Sequence, residues 1–458
     1  MSTPREDLAR PTPARPDAAA VAPAPAGPVL RLPMAIGDRM GRGGMIACAF
    51  GPLDLPDRTA IVDALVRIST ASPESRAGLA FAATGSGWIH DPAGLAAHCA
   101  GAVSVVDPLD PDDLAGDLCR RALDIDADRP LHYQLAGDYL LQFFDHSVGD
   151  SVLLLSLPAA ILGVAAGGPL PEWLGERTAR HPLADAVRHT FLRHPGQFLA
   201  AVNARQDPRA ELDARAEAVG LPDPVRPRPR ETRPWRPEPA FSAVTITKDS
   251  AKLIRSWSRK HAGGASFTAV LTMMLRRALE RSGVPVAPAS TLVYDLRRYL
   301  PPGSTVFGNF ITGIPLRVAN PDDPEQLDAR IQETVASARP LAALLAGAAK
   351  HRLRPAPVPV PDRVPVDPVA TLVLSNAGVS RSLQQLPWTR TEGTPHHAIF
   401  GVRTVGAEQL SVLLTILDGD VHITATFHGN VFDPAAVAGA LRLMAAEPET
   451  LLLDPADA

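Results

Sequence analysis

The sequence predicts an α+β protein built as two units on either side of a linker. Three observations carry that reading. The chain has 458 residues, of which 46% are hydrophobic, enough for more than one core. Segments with strand-like alternation and segments with helical spacing are interspersed in both halves. Between Leu221 and Ala240 the composition breaks, with seven prolines and five arginines in twenty residues. This stretch reads as a semi-rigid extended linker, solvated along its length. The expected organisation is a mobile tail over residues 1–28, a first lobe at 29–220, the linker at 221–240 and a second lobe at 241–458.

In the first half, Gly44 to Phe50 is short and apolar and reads as a strand. Asp57 to Ile68 follows as an amphipathic helix, with Ile61, Leu65 and Ile68 on one face. Leu131–Leu135 and Asp138–Phe144 read as a hairpin around Ala136-Gly137. The second half opens on a strand at Phe241–Thr247 and helices at Ser250–His261 and Ser266–Ser282. Strands are expected at Thr291–Asp295, within Phe307–Val318, and at Thr371–Leu374, Ala398–Arg403, Gln409–Leu417 and Val421–Phe427. A Pro-rich loop spans Arg354–Pro368, and a last helix is expected at Pro434–Ala446.

Charge narrows the function. Lys plus Arg number 45 and Asp plus Glu 49, for a net charge of −4. That balance argues against a duplex nucleic-acid binder driven by bulk positive charge. The three cysteines, Cys48, Cys99 and Cys119, have no CxxC spacing, so neither a disulfide framework nor a cysteine-rich zinc site is expected, and a reducing cytoplasm fits. The first residues carry Glu6, Asp7 and Asp17 and lack the apolar run of a secretory signal. Ser151 to Pro171 is uncharged, but Pro158, Gly163, Gly167, Gly168 and Pro169 interrupt it. It reads as a buried helix and loop rather than a membrane span.

The candidate chemistry lies at Asp145-His-Ser-Val-Gly-Asp150, between an apolar strand and an apolar helix. A neutral imidazole at His146 can take a proton from a hydroxyl or amine near pH 7. Asp150 falls at a helix N-terminus, where a carboxylate is favoured. On spacing alone a structural reading stays open, with Asp150 as a helix cap and His146 as a satisfied histidine. A second H-x-x-x-D, His181 to Asp185, lies on a polar helix and reads as surface. His396-His397 has Gly401 where an acid is needed, and reads as the polar approach to a strand. No phosphate-binding glycine loop occurs, and no metal site is expected.

Phe144 to Ser151 resembles the HHxxxDG signature of the condensation-domain and chloramphenicol-acetyltransferase-like superfamily of acyltransferases, here in the form DHxxxDS. Tyr294–Arg297, Val306–Phe310 and Leu374–Gly378 resemble that family's strand-end arginine, Gly-Asn and Ser-Asn segments, in the same order. The resemblance implies a V-shaped pair of lobes with a tunnel between them. It implies His146 as general base and Asp150 paired with an arginine, Arg297 or else Arg298. Asp145, Ser151, Asn309, Ser375 and Asn376 would line the substrate site. The implied reaction moves an acyl group from an acyl-CoA or a phosphopantetheinyl carrier thioester to a small-molecule hydroxyl or amine acceptor, in natural-product or lipid metabolism. An acyl or peptidyl carrier protein is the implied partner, and no permanently bound cofactor is required. Two departures stand out: Asp145 replaces the first histidine and Ser151 the last glycine. They leave two alternatives, a degenerate binding protein and a serine hydrolase using Ser151. The hydrolase reading lacks both a G-x-S-x-G elbow and a downstream Asp-x-x-His.

Overall fold

The computed structural model describes residues 27–83, 85–176, 178–203, 230–353, 360–391 and 393–453. Nearly all of the N-terminal tail, residues 1–26, and the first part of the linker, residues 221–229, lie outside the described residues.

Two large sheets organise the chain. The first has five strands in the order His397–Val402, Met45–Gly51, Tyr139–Asp145, Leu131–Ala136, Val103–Val106. Its neighbours are antiparallel except for the last pair. Met45–Gly51 and Tyr139–Asp145 are its centre, and all but the first residue of each is buried. Their apolar runs suit this place, because the sheet is covered on both faces. The helices Arg58–Ala71 and Ser151–Ala165 pack on the face presenting Cys48, Phe50, Leu140 and Phe144. The helix Leu114–Leu123 covers the face presenting Ala47, Ala49, Leu141 and Phe143. The hairpin joining Leu131–Ala136 to Tyr139–Asp145 turns on Gly137, whose φ of 64° is open to glycine at little steric cost.

The second sheet has six strands in the order Ile311–Leu316, Val286–Asp295, Ala370–Val379, Gln409–Leu417, Asp420–His428, Pro239–Ile246. Its central pairings, Val286–Asp295 with Ala370–Val379 and Ala370–Val379 with Gln409–Leu417, are parallel. The helices Phe267–Arg281 and Pro434–Ala446 supply its core partners, through Val270, Met274 and Leu441 among others. The chain is therefore a two-lobed α+β protein.

Two expectations need correction. The strand expected at Ala398–Arg403 falls, by its place in the sequence, in the second lobe. It runs instead as His397–Val402 and forms the edge of the first sheet, antiparallel to Met45–Gly51. An alternating apolar segment pairs with whichever open edge it meets, so its sequence does not name the sheet. The described half of the linker is not a solvated spacer either. Thr232–Pro234 pairs with Arg363–Pro365 from the other Pro-rich stretch, and Trp235 is buried against Val364 and Ala407. The uncharged stretch from Ser151 forms a fifteen-residue helix buried along most of its length. No helix among the described residues is long and apolar enough to cross a membrane.

Where the lobes meet, the edge strand is covered by side chains rather than by another strand. Edge strands leave backbone donors unpaired. Here the Phe400 N–H donates to the Thr424 hydroxyl at 3.1 Å, and the Val402 N–H donates to the Thr426 hydroxyl at 3.3 Å. His422 lies two residues before Thr424, on the same face of its strand and buried at 4% exposure. Burial pushes its pKa from 6.5 down to about 4, with further lowering by His397 and His396. A depressed histidine pKa means the unfolded chain binds the proton first. Stability is then fully present above pH 6.5 and is lost as pH falls toward 4. His422 is expected to contribute about 3 kcal/mol to this loss. Denaturant unfolding across that range should show it, with a shallower acid dependence in His422→Gln.

Candidate functional site

The candidate site is the loop between Tyr139–Asp145 and the helix Ser151–Ala165, and each of its acidic groups has a fixed task. Asp150 is the N-cap of the helix, accepting the Val152 N–H at 3.1 Å. Its carboxylate is 1% exposed and receives both terminal nitrogens of Arg297, at 2.9 and 3.0 Å. It also accepts the Phe310 N–H at 3.0 Å. Arg297 follows the Val286–Asp295 strand of the second lobe, so this bidentate pair crosses between lobes. The rest of its guanidinium donates to the carbonyls of Val306 and Gly308 and to Asp295. Burial pulls the Arg297 pKa down, but the charge and hydrogen bonds of Asp150 more than offset this and leave it raised. Arg298 is exposed and turns back to the Asp295 carbonyl.

Asp145 is occupied in shaping the loop. It accepts from Arg42 at 2.7 Å, from the Gly43 N–H at 2.8 Å, from the Ser147 N–H at 2.9 Å, and from the Ser147 hydroxyl. Arg42 in turn lies 3.4 Å from the centre of the Phe81 ring, a cation–π contact. Ser151 is the first residue of its helix, and it is not among the non-glycine residues of positive φ. Serine therefore stands there without backbone strain.

His146 is half-buried, and its Nδ1 is buried with no hydrogen-bond partner among the described residues. Its backbone is tied at both ends. The His146 N–H donates to the Gly44 carbonyl, and its carbonyl accepts from the side-chain amide of Asn309. The 41–44 loop approaches so closely that a Cβ at Gly41 would lie 2.8 Å from the His146 carbonyl oxygen. Glycine is what lets the backbones meet.

The structure thus gathers Asp145, His146, Asp150, Ser151, Arg297 and Asn309 at one place. Among the described residues, Asn376 makes no hydrogen bond to this group. The Asn376 amide donates to Thr268 at 2.9 Å, and its carbonyl accepts the Gly378 N–H. Ser375, its half-buried neighbour in the same strand, makes no hydrogen bond to the His146 loop among the described residues. Nor does any hydrogen bond among the described residues join Ser151 to His146. His397 pairs with the Tyr139 hydroxyl at 2.7 Å and His396 stacks on Trp388, so both are engaged elsewhere. No group of three or more His, Cys, Asp or Glu among the described residues is placed to hold a metal ion. Sequence reasoning missed Asp38, Arg42 and Arg76, which surround the loop and lie in no recognisable motif.

No family model matches the chain, and no curated protein matches it by sequence. Solved structures do match it. A trichothecene 15-O-acetyltransferase from Fusarium sporotrichioides superposes with a TM-score of 0.62 at 11% identity, over 93% of this chain and 95% of that one. The first condensation domain of the CDA synthetase gives 0.52 at 13% identity, over 93% and 97%. A nonribosomal peptide synthetase gives 0.55 at 18%, over 94% of this chain but 44% of that much longer one. At these identities the likeness shows the fold. The chain has a two-lobed α+β fold resembling that of these proteins.

Breaking the Asp150–Arg297 pair from one side leaves a buried charge unmatched. Arg297→Ala is expected to cost about 3–5 kcal/mol of unfolding free energy, read by denaturant titration. Asp150→Asn should also destabilise.

Proposed function

We propose that the protein is an acyltransferase of the condensation type, with His146 as general base. The observation that carries this reading is a half-buried imidazole on a loop fixed across two lobes by a buried bidentate ion pair. A base needs its position held, and rigid support of that kind supplies it.

A thioester donor is already activated, so the chain has three tasks. It orients an acceptor hydroxyl or amine, receives that group's proton on the His146 imidazole, and stabilises the oxyanion formed when the nucleophile adds to the thioester carbonyl. Collapse of the tetrahedral adduct breaks the carbon–sulfur bond. The departing thiolate takes the proton back from the imidazolium. Acyl-CoA or an acyl group on a phosphopantetheinyl carrier protein would serve as donor, reaching His146 through a passage between the lobes. Asp145 does not share the proton in this scheme, because its carboxylate is committed to Arg42, Gly43 and Ser147. Asp150 and Arg297 position the loop, and Ser151 serves its helix. Ser375 and Asn376 are proposed to face the donor rather than the base.

The test is thiol release from a panel of acyl-CoA thioesters supplied with alcohol and amine acceptors. His146→Ala is expected to lower turnover by roughly 10²–10⁴-fold. Turnover near wild type in that variant would remove His146 from the role of base. Abolition of ester cleavage in Ser151→Ala would favour a serine hydrolase instead, a reading that requires His146 to touch Ser151.

A further inference from the structure

The Asp150–Arg297 pair has a counterpart at the same loop. Asp38, on the short helix Ile36–Gly41, is completely buried. It pairs with Arg76 at 2.8 Å and accepts the Asn309 N–H at 2.9 Å. Asp150 accepts the next backbone donor, the Phe310 N–H, at 3.0 Å. Two buried carboxylates of the first lobe thus grip consecutive N–H groups of one second-lobe segment, and each carries its own arginine.

Arg76 also reaches the loop directly. Its Nη1 donates to the carbonyl of Val148 at 2.7 Å and to that of Ser147 at 3.1 Å. Asn309 links this pair to the loop: its N–H goes to Asp38, and its side-chain amide goes to the carbonyl of His146. A single residue thus joins Asp38 to the backbone of His146. The surroundings are built for this contact. A Cβ at Gly308 would lie 2.5 Å from Arg76 Nη2 and 2.7 Å from the Asp38 carboxylate. Arg76 itself holds a left-handed backbone with φ of 67°, uncommon for a residue with a side chain. Such conformations persist where the surrounding structure over-determines them.

We propose that Asp38 and Arg76 form a second positioning pair, which seats the 306–310 segment and the carbonyls of Ser147 and Val148 so that His146 is held by two buried ion pairs. Their effect on turnover rests on His146 being the base proposed above. Their effect on the imidazole does not.

The experiment compares full-length wild type with Arg76→Lys, Arg76→Ala and Asp38→Asn. The first readout is the ring NMR signal of His146 in isotope-labelled protein, assigned with His146→Gln. The second is kcat and KM in the thiol-release assay. The His146 signal should move or broaden in the Arg76 variants, less in Lys than in Ala. The kcat of Arg76→Ala should fall on the order of 100-fold with KM little changed, and that of Arg76→Lys by less. Arg76→Lys keeps the charge but not the fork of donors, and it decides the matter if Arg76→Ala does not fold. A folded Arg76→Lys, judged by near-ultraviolet circular dichroism, with the His146 signal and kcat of wild type would overturn the proposal. A shifted His146 signal in a protein whose wild type releases no thiol would support the pair and count against acyl transfer.

Discussion

A carboxylate buried in one lobe and a guanidinium delivered by the other set the geometry on which the rest of the site depends. Asp150 is almost fully buried, and an isolated carboxylate there would be costly. It is tolerated because Arg297 meets it with two parallel hydrogen bonds and the Phe310 N–H adds a third. An ion pair of this sort is a weak source of net stability, since desolvation consumes much of the attraction. Its value lies in allowing one arrangement of the two lobes near the loop and disfavouring others. Arg297 spreads that constraint by also holding the carbonyls of Val306 and Gly308.

The aspartate at position 145 is engaged within the loop itself. Its carboxylate closes a turn onto Ser147 and clamps the Arg42–Gly43 backbone, and the arginine balances its charge. The negative charge is therefore answered within the loop. The serine at 151 is similarly undemanding, because a helix start needs no special backbone angle.

How much of this was legible in the sequence differs from element to element. The loop bearing His146 could be located because an apolar strand and an apolar helix bracket a short polar run, a local pattern. The Pro434–Ala446 helix and the Gln409–Leu417 strand were legible for the same reason, and the structure gives them the same bounds. Asp38 and Arg76 were not, since the contacts that give them meaning span 38 and 271 residues of chain. The linker misled because proline and arginine dominate its composition, whereas Trp235 and the short pairing with Arg363–Pro365 decide its path. The His397–Val402 strand was recognisable as a strand but not as the first sheet's edge, because pairing choice is a property of the whole fold.

That exchanged strand bears on how the molecule is made. Met45–Gly51 leaves the ribosome some 350 residues before its neighbour His397–Val402 is synthesised. For that interval a long apolar strand has one row of amides without a mate, the condition under which nascent chains stick to one another. The first lobe therefore cannot be completed co-translationally in isolation, and splitting the gene at the proline-rich junction would yield an N-terminal fragment with an unsealed flank.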